Sequence, residues 1–253
     1  MPTPESYVVY PDDFSTIHTS NSWMGHALVK PLLQGCSRGL DECSVVQADD
    51  FKSIHNKVDR IHQEFNEPAL VERYVGGTDA KEYTAPALIA FDGRIMLLPI
   101  TEIELSKVPI VQEEFRFLTG SLKENEERNY LKIPGDLSYK ACDRIRSDVR
   151  KIIKAIGCRD MTRIDMRCDS TGLYYIEVNV NPRKDRYAYL ILAAYSLGFT
   201  YEQIIAYIPY QAILKYEFEP PKRLEELVYP MMTLFWPSRD AEETAREAPS
   251  LVH

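Results

Sequence analysis

The 253-residue chain has no apolar run near the roughly 18 residues that a membrane span needs, so no membrane partner is expected. Met1–Tyr10 lacks a basic segment followed by an apolar one, which argues against a secretory signal there. Positive charge is not in excess. Thirty Lys and Arg stand against 38 Asp and Glu, a net charge of −8, which is a poor basis for non-specific nucleic-acid binding. The five cysteines, Cys36, Cys43, Cys142, Cys158 and Cys168, contain no CxxC pair and are odd in number, so reduced thiols and a cytoplasmic location are expected. His18, His26, His55 and His62 have no metal-ligand spacing, and His55 and His62 read as solvated residues on the polar side of a helix. Glycine is scarce, at 11 residues, and neither GxxxxGK[ST] nor GxGxxG occurs; P-loop and Rossmann sites are thereby excluded. There is no internal repeat and no low-complexity tract.

What is present is a mixed order of strands and helices. Ser6–Tyr10 and Ala27–Pro31 read as strands. Phe51, Ile54, Val58, Ile61 and Phe65 recur at spacings of three and four, which predicts a helix over 49–65 capped by Asp49 or Asp50. Strands follow over 69–75, 82–90 and 94–99, with Gly76-Gly77 and Asp92-Gly93 as turns. Residues 106–133 carry much charge and little periodicity and read as a long loop. A second helix begins near Ser138, with Ala141, Ile145, Val149, Ile152 and Ile156 on one face and Gly157 as its stop. Two strands then flank Asp169-Ser170-Thr171-Gly172. A helix over 187–197 is followed by another, opened by the capping box of Thr200 and Gln203. Tyr189, Tyr195 and Tyr207 are expected in packing. This order argues for α+β lobes over a doubly wound α/β sheet.

The hairpin around 169–172 is the richest stretch chemically. Alternation along a strand puts Arg163, Asp165 and Arg167 on one face, and Tyr175, Glu177 and Asn179 on one face of its partner. Pairing across the turn brings Asp165 near Glu177, and like charges opposed on a sheet ask for a cation. Two carboxylates with an amide oxygen suit Mg²⁺. A solvated polar face balanced by Arg163 and Arg167 is the competing reading. Lys30 ends an apolar strand. Four residues beyond it, the Gly35-Cys36-Ser37-Arg38-Gly39 loop offers backbone N–H groups to phosphate oxygens. Glu72-Arg73-Tyr74-Val75 lies between strands, where a hinge can present backbone groups to a base.

Taken in order, Pro2-Thr3-Pro4, Val29-Lys30-Pro31, Gly35–Gly39, Val71-Glu72-Arg73, Glu82-Tyr83-Thr84, Leu98-Pro99, Arg163-Ile164-Asp165 and Glu177-Val178-Asn179 resemble the D-alanine–D-alanine ligase branch of the ATP-grasp superfamily over roughly residues 2–210. The resemblance implies the ATP-grasp fold, with nucleotide and metal between two α+β lobes. It also implies an ADP-forming ligase that makes an acyl phosphate and then an amide. Under it, Lys30 holds phosphates, Glu72, Arg73 and Val75 line the adenine hinge, and Glu82 reaches the ribose. Gly35, Cys36, Ser37 and Gly39 close over the γ-phosphate, with Ser37 also counted as catalytic. Asp165, Glu177 and Asn179 hold Mg²⁺, with Mn²⁺ as a substitute. Arg163 stabilises the tetrahedral intermediate and Arg116 touches phosphate where the family commonly has lysine.

The implied lobes are a small one over 1–84, a large one over 85–219, and a C-terminal helix and flexible tail over 220–253. The family also carries a further domain of roughly 100 residues ahead of the position of Met1, within the size range of a small domain. A partner chain or a homodimer is the expected source of it, and a truncated, non-catalytic nucleotide-binding module is the alternative reading. After Asn179 the family has Pro-Gly and small hydroxyl residues, whereas here the chain reads Val180-Asn181-Pro182-Arg183-Lys184-Asp185-Arg186-Tyr187. Those cations suit an anionic or larger substrate, or else form a solvated turn leading into a helix that Asp185 caps. The expected substrates are therefore an amino-acid-like carboxylate and an amine other than D-alanine itself.

Overall fold

The computed structural model describes residues 1–235 apart from 12, 15–16, 18–22, 36, 78, 109–114 and 116–129. The chain divides into two compact units. The first comprises Met1–Thr84, Glu102–Lys132 and Ile164–Glu177, and the second Ala85–Thr101, Ile133–Arg163 and Val178–His253.

The first unit contains a four-stranded sheet in the order β1-β4-β2-β3. Its strands are β1 (Ser6–Val9), β2 (His26–Pro31), β3 (Val45–Gln47) and β4 (Ala69–Arg73). All three pairings are antiparallel. Helix α1 (Phe51–Phe65) covers this sheet. Ile54, Val58 and Ile61 are fully buried with Ala27, Val29, Ala69 and Val71, while Phe51 and Phe65 pack at the margin. The periodic stripe thus becomes the core face, as its spacing requires. Asp50 is the cap; its side chain accepts from the Ser53 amide at 3.1 Å. Of the two helix histidines expected to be solvated, His55 is exposed and His62 is half-buried. His55 stacks on Phe14 with centroids 4.4 Å apart, and His62 Nε2 lies 3.2 Å from the Val9 carbonyl oxygen.

A second sheet has the order β10-β9-β5-β7-β8, with β6 against β5. Its strands are β5 (Lys81–Ile89), β6 (Ile95–Leu97), β7 (Thr101–Ile103), β8 (Leu131–Lys132), β9 (Met161–Asp169) and β10 (Gly172–Asn179). The expected long loop is therefore bounded at its far end by strand, since Leu131 and Lys132 pair with Ile103 and Glu102. Most of the rest of that segment lies outside the described residues.

The second unit holds helices α2 (Tyr139–Ile156), α3 (Tyr189–Tyr195), α4 (Tyr201–Lys215) and α5 (Lys222–Phe235). Ser138 caps α2, and Gly157 ends it at φ +74°, in the left-handed region that glycine enters without cost. Ile145, Val149 and Ile152 are buried as the spacing predicts, whereas Ile156 is half exposed and Ile153 takes the buried place. The Thr200–Gln203 capping box forms in both directions. Tyr207 is buried in the core of this unit with Tyr195 packed against it, and Tyr189 is also buried. Among the described residues no helix is long and apolar enough to cross a membrane. The tail expected to be flexible lies outside the described residues from 236 onward.

Candidate functional site

A cavity of about 370 Å³ lies wholly within the first unit. Its wall gathers residues from four separate stretches: Lys30 with Gly35 and Ser37, Glu72 with Arg73 and Val75, Glu82, and Asp165 with Glu177. Cys36 and Arg116 lie outside the described residues. Gly39, Arg163 and Asn179 are not part of the lining.

Strand register explains the first contact. In the β2–β4 pair Leu28 faces Glu72 and Lys30 faces Leu70, so Lys30 and Glu72 are diagonal neighbours on one face. The Lys30 ammonium donates to Glu72 Oε1 at 2.6 Å. Two residues assigned from the sequence to different parts of a nucleotide thus form one ion pair in the free protein. Its Glu72 side chain is 8% exposed and its Lys30 side chain 21%.

Arg73 also has a different place from the one its motif suggests. Its Nη1 donates to Asp169 Oδ2 at 3.0 Å and its Nη2 to the Thr171 hydroxyl at 3.3 Å. The guanidinium lies over the Tyr174 ring, 4.5 Å from its centroid. Burial alone would raise the Asp169 carboxyl, but hydrogen bonds from the Thr171 hydroxyl and amide, and then Arg73, outweigh it and hold the group below the usual carboxylate value.

Asp165 is half-buried and accepts from the Thr84 hydroxyl at 2.6 Å; Thr84 is fully buried. Glu177 is exposed on the cavity wall. Arg167, which the sequence offered only as a charge balance, is 8% exposed. Its Nε lies 3.8 Å from Glu82 and its guanidinium 5.1 Å from the centre of the Tyr74 ring. Thr84 and Arg38 are cavity-region residues that no role was assigned to. Thr84 was within reach of sequence reasoning, because it follows Glu82 by two positions on one strand and shares its face.

Among the described residues no group of three or more His, Cys, Asp or Glu side chains could hold a metal ion. The donor set at the cavity is the two carboxylates of Asp165 and Glu177. Two hard oxygen donors fit Mg²⁺, which keeps several waters and completes its shell with phosphate oxygens.

In the second unit, Arg163 lies over the Tyr189 ring, 5.2 Å from its centroid, and the Asn179 carbonyl accepts from the Thr162 hydroxyl at 3.0 Å. Each cation of the 183–186 segment has a local partner. Arg183 Nε donates to Asp185 at 2.8 Å and Arg186 Nη2 to Glu202 at 2.9 Å, and Lys184 donates to the Asn181 side chain. Asp185 also accepts the Tyr187 amide at 3.1 Å, but it does not cap the helix as expected: α3 starts at Tyr189 after Ala188, which makes no side-chain cap bond.

The sequence profile of a family described as "D-ala D-ala ligase C-terminus" matches residues 12–208. The D-alanine–D-alanine ligase of Fervidobacterium nodosum is 26% identical over 190 residues, which are 74% of this chain and 54% of that protein. The chain spans about half the length of the curated relatives it matches. Among solved structures, the Bacillus anthracis D-alanine–D-alanine ligase complexed with ATP superposes with a TM-score of 0.58 at 17% identity, covering 87% of this chain and 62% of that one. The VanG D-Ala:D-Ser ligase of Enterococcus faecalis gives a TM-score of 0.60 at 19% identity, covering 83% of this chain and 57% of that one.

Proposed function

The chain belongs to the family of D-alanine–D-alanine ligase C-terminal domains and has the α+β ATP-grasp fold, and on that premise we propose that it serves an ATP-dependent, ADP-forming ligation of a carboxylate to an amine. The observation that carries this reading is convergence. Residues assigned separately from the sequence to phosphate, base, ribose and cation line one cavity.

In this reading Lys30 and the backbone of the 35–39 loop receive the phosphates. The end of β4, from Glu72 to Val75, borders the base, and Glu82 meets the ribose. Mg²⁺ or Mn²⁺, held by Asp165 and Glu177, would supply charge neutralisation when bound. Thr84 keeps Asp165 oriented by its hydrogen bond. The substrate carboxylate attacks the γ-phosphorus and ADP leaves. The amine then attacks the acyl phosphate carbon and releases inorganic phosphate. Arg163 steadies the oxyanion of that second step. The glycine loop, lying over the γ-phosphate, excludes water from an intermediate that hydrolyses. The substrates are amino-acid-like, and the 180–187 segment, which differs from the family's small hydroxyl pattern, points to a pair other than two D-alanines.

Phosphate release that requires both a carboxylate and an amine is the expected result of a substrate panel. Tight Mg·ATP binding without turnover on any pair would sink the ligation. Calorimetry on Glu177→Ala is expected to show Mg·ATP affinity reduced by about tenfold or more; equal binding by both proteins would remove Glu177 from the cation site.

A further inference from the structure

Among the buried charged side chains of the first unit, Lys57 and Glu67 have no part in the roles above. Lys57, on α1 beside Val58, is 5% exposed, and Glu67, just beyond the helix, is 7% exposed. Neither lines the cavity. A buried charge is costly unless it is paired and hydrogen-bonded, so its partners show what it holds.

Both reach the same loop. Lys57 Nζ donates to the Gly39 carbonyl at 3.0 Å and to Asp41 Oδ1 at 2.7 Å. Glu67 Oε1 accepts the Leu33 amide at 2.9 Å, and its Oε2 accepts from Gln34 Nε2 at 2.8 Å. One anchor grips the loop where it leaves β2 and the other where it returns. Between them the chain turns tightly: the Arg38 amide donates to the Gly35 carbonyl at 3.2 Å, and the Leu40 amide to that of Ser37 at 3.2 Å. Ser37 itself sits at φ +59°, a left-handed conformation uncommon for a residue with a side chain. The return anchor is braced further, since Asp41 Oδ2 takes Arg60 Nη1 at 2.9 Å. Burial pushes the Asp41 carboxyl up, but Lys57 and Ser44 outweigh it and leave the group below the usual range.

We propose that Lys57 and Glu67 are positioning residues that fix Gly35 and Ser37–Gly39 in the arrangement that receives a phosphoryl group, acting through the loop backbone without touching the ligand. The proposal rests on the nucleotide reading of the cavity. Its physical basis is preorganisation. Backbone N–H groups that receive phosphate oxygens bind best when already ordered, because a loose loop must lose its conformational freedom on binding.

The test uses the full chain and calorimetry with ATP, ADP and adenosine in Mg²⁺. Lys57→Met and Glu67→Gln are expected to weaken ATP by about tenfold or more and leave adenosine within about twofold. Lys57→Arg, which keeps a cation on Gly39 and Asp41, is expected to recover most of the ATP affinity. Equal losses for ATP and adenosine, or no loss in either variant, overturn the proposal. If Lys57→Met does not fold, Glu67→Gln carries the same comparison. Hydrogen exchange on the ligand-free proteins gives a second readout. Faster exchange across 35–40 with β1–β4 unchanged supports the clamp, and unchanged exchange there overturns it. A wild-type chain that binds no nucleotide, with a loop that still loosens in the variants, overturns the nucleotide reading and leaves the clamp intact.

Discussion

Charge at the cavity wall is held in pairs. The Lys30–Glu72 pair places a 2.6 Å contact on a face of the sheet where Glu72 has little access to water. Removing the cation leaves that carboxylate buried alone, which is the expensive half of breaking a buried pair. Lys30→Met is therefore expected to lower stability by about 1–3 kcal/mol, the lower part of the range because Lys30 is partly solvated. Urea unfolding checks it; a midpoint unchanged from wild type would mean that the pair contributes nothing. The Arg73–Asp169 contact makes a pH-dependent prediction. Asp169 titrates below its ordinary 3.8 in the folded chain. Its stabilisation is thus fully present above that ordinary value and is lost as pH falls through the lower folded one. The stability advantage of wild type over Arg73→Ala is expected to hold steady from about pH 7 to about pH 5 and to shrink below about pH 4. A gap that stays constant into acid would show that Asp169 is not the partner that matters.

Helices and loops differ in how much of them local sequence specifies. Helices α1 and α2 were legible because their apolar residues recur every three or four positions and their ends carry a capping side chain or a stop, Asp50 and Ser138 before them and Gly157 after α2. Strand β8 was not, because two residues carry no pattern of their own; Leu131 and Lys132 are extended by pairing with β7. The cavity residues Lys30, Glu72, Glu82, Asp165 and Glu177 were legible as spaced motifs. The partners of Lys30 and Arg73 were not, since one lies 42 and the other 96 positions away, and only strand register and a distant turn bring them together. Nothing in the helix pattern marks Lys57, because its burial comes from the loop laid over it. That loop is also where backbone geometry is most restrictive. Gly39 has φ +77°, and a Cβ there would stand 2.5 Å from Pro31 Cγ and 3.0 Å from the Phe65 ring. Both the conformation and the space exclude a side chain. Gly39→Ala is expected to cost about 1–3 kcal/mol in a thermal or urea melt and to weaken ATP more than adenosine. Wild-type stability in that variant would mean that the loop relaxes freely, against the clamped picture.

Over the whole chain the net charge is −8, which repels a polyanion at long range. The cavity does not reverse that field. Its lining carries four acids, Glu72, Glu82, Asp165 and Glu177, and four bases, Lys30, Arg38, Arg73 and Arg167. Three of those bases face carboxylates within 4 Å: Lys30 with Glu72, Arg73 with Asp169 and Arg167 with Glu82. Lys30, assigned from the sequence to the phosphates, and Arg73, assigned to the adenine hinge, are already neutralised by their neighbours. A triphosphate entering such a pocket has to bring positive charge with it, and Asp165 and Glu177 are the groups that would receive a divalent cation. ATP affinity is therefore expected to fall by more than about tenfold when EDTA replaces Mg²⁺, whereas adenosine affinity stays unchanged. Added monovalent salt at fixed Mg²⁺ should weaken ATP only modestly, because paired and partly buried charges are screened less than exposed ones. Equal ATP binding with and without the divalent ion would mean that protein cations alone neutralise the phosphates. In that case the Lys30–Glu72 pair must open on binding, and Glu72→Gln would raise ATP affinity where the metal-dependent reading predicts no gain.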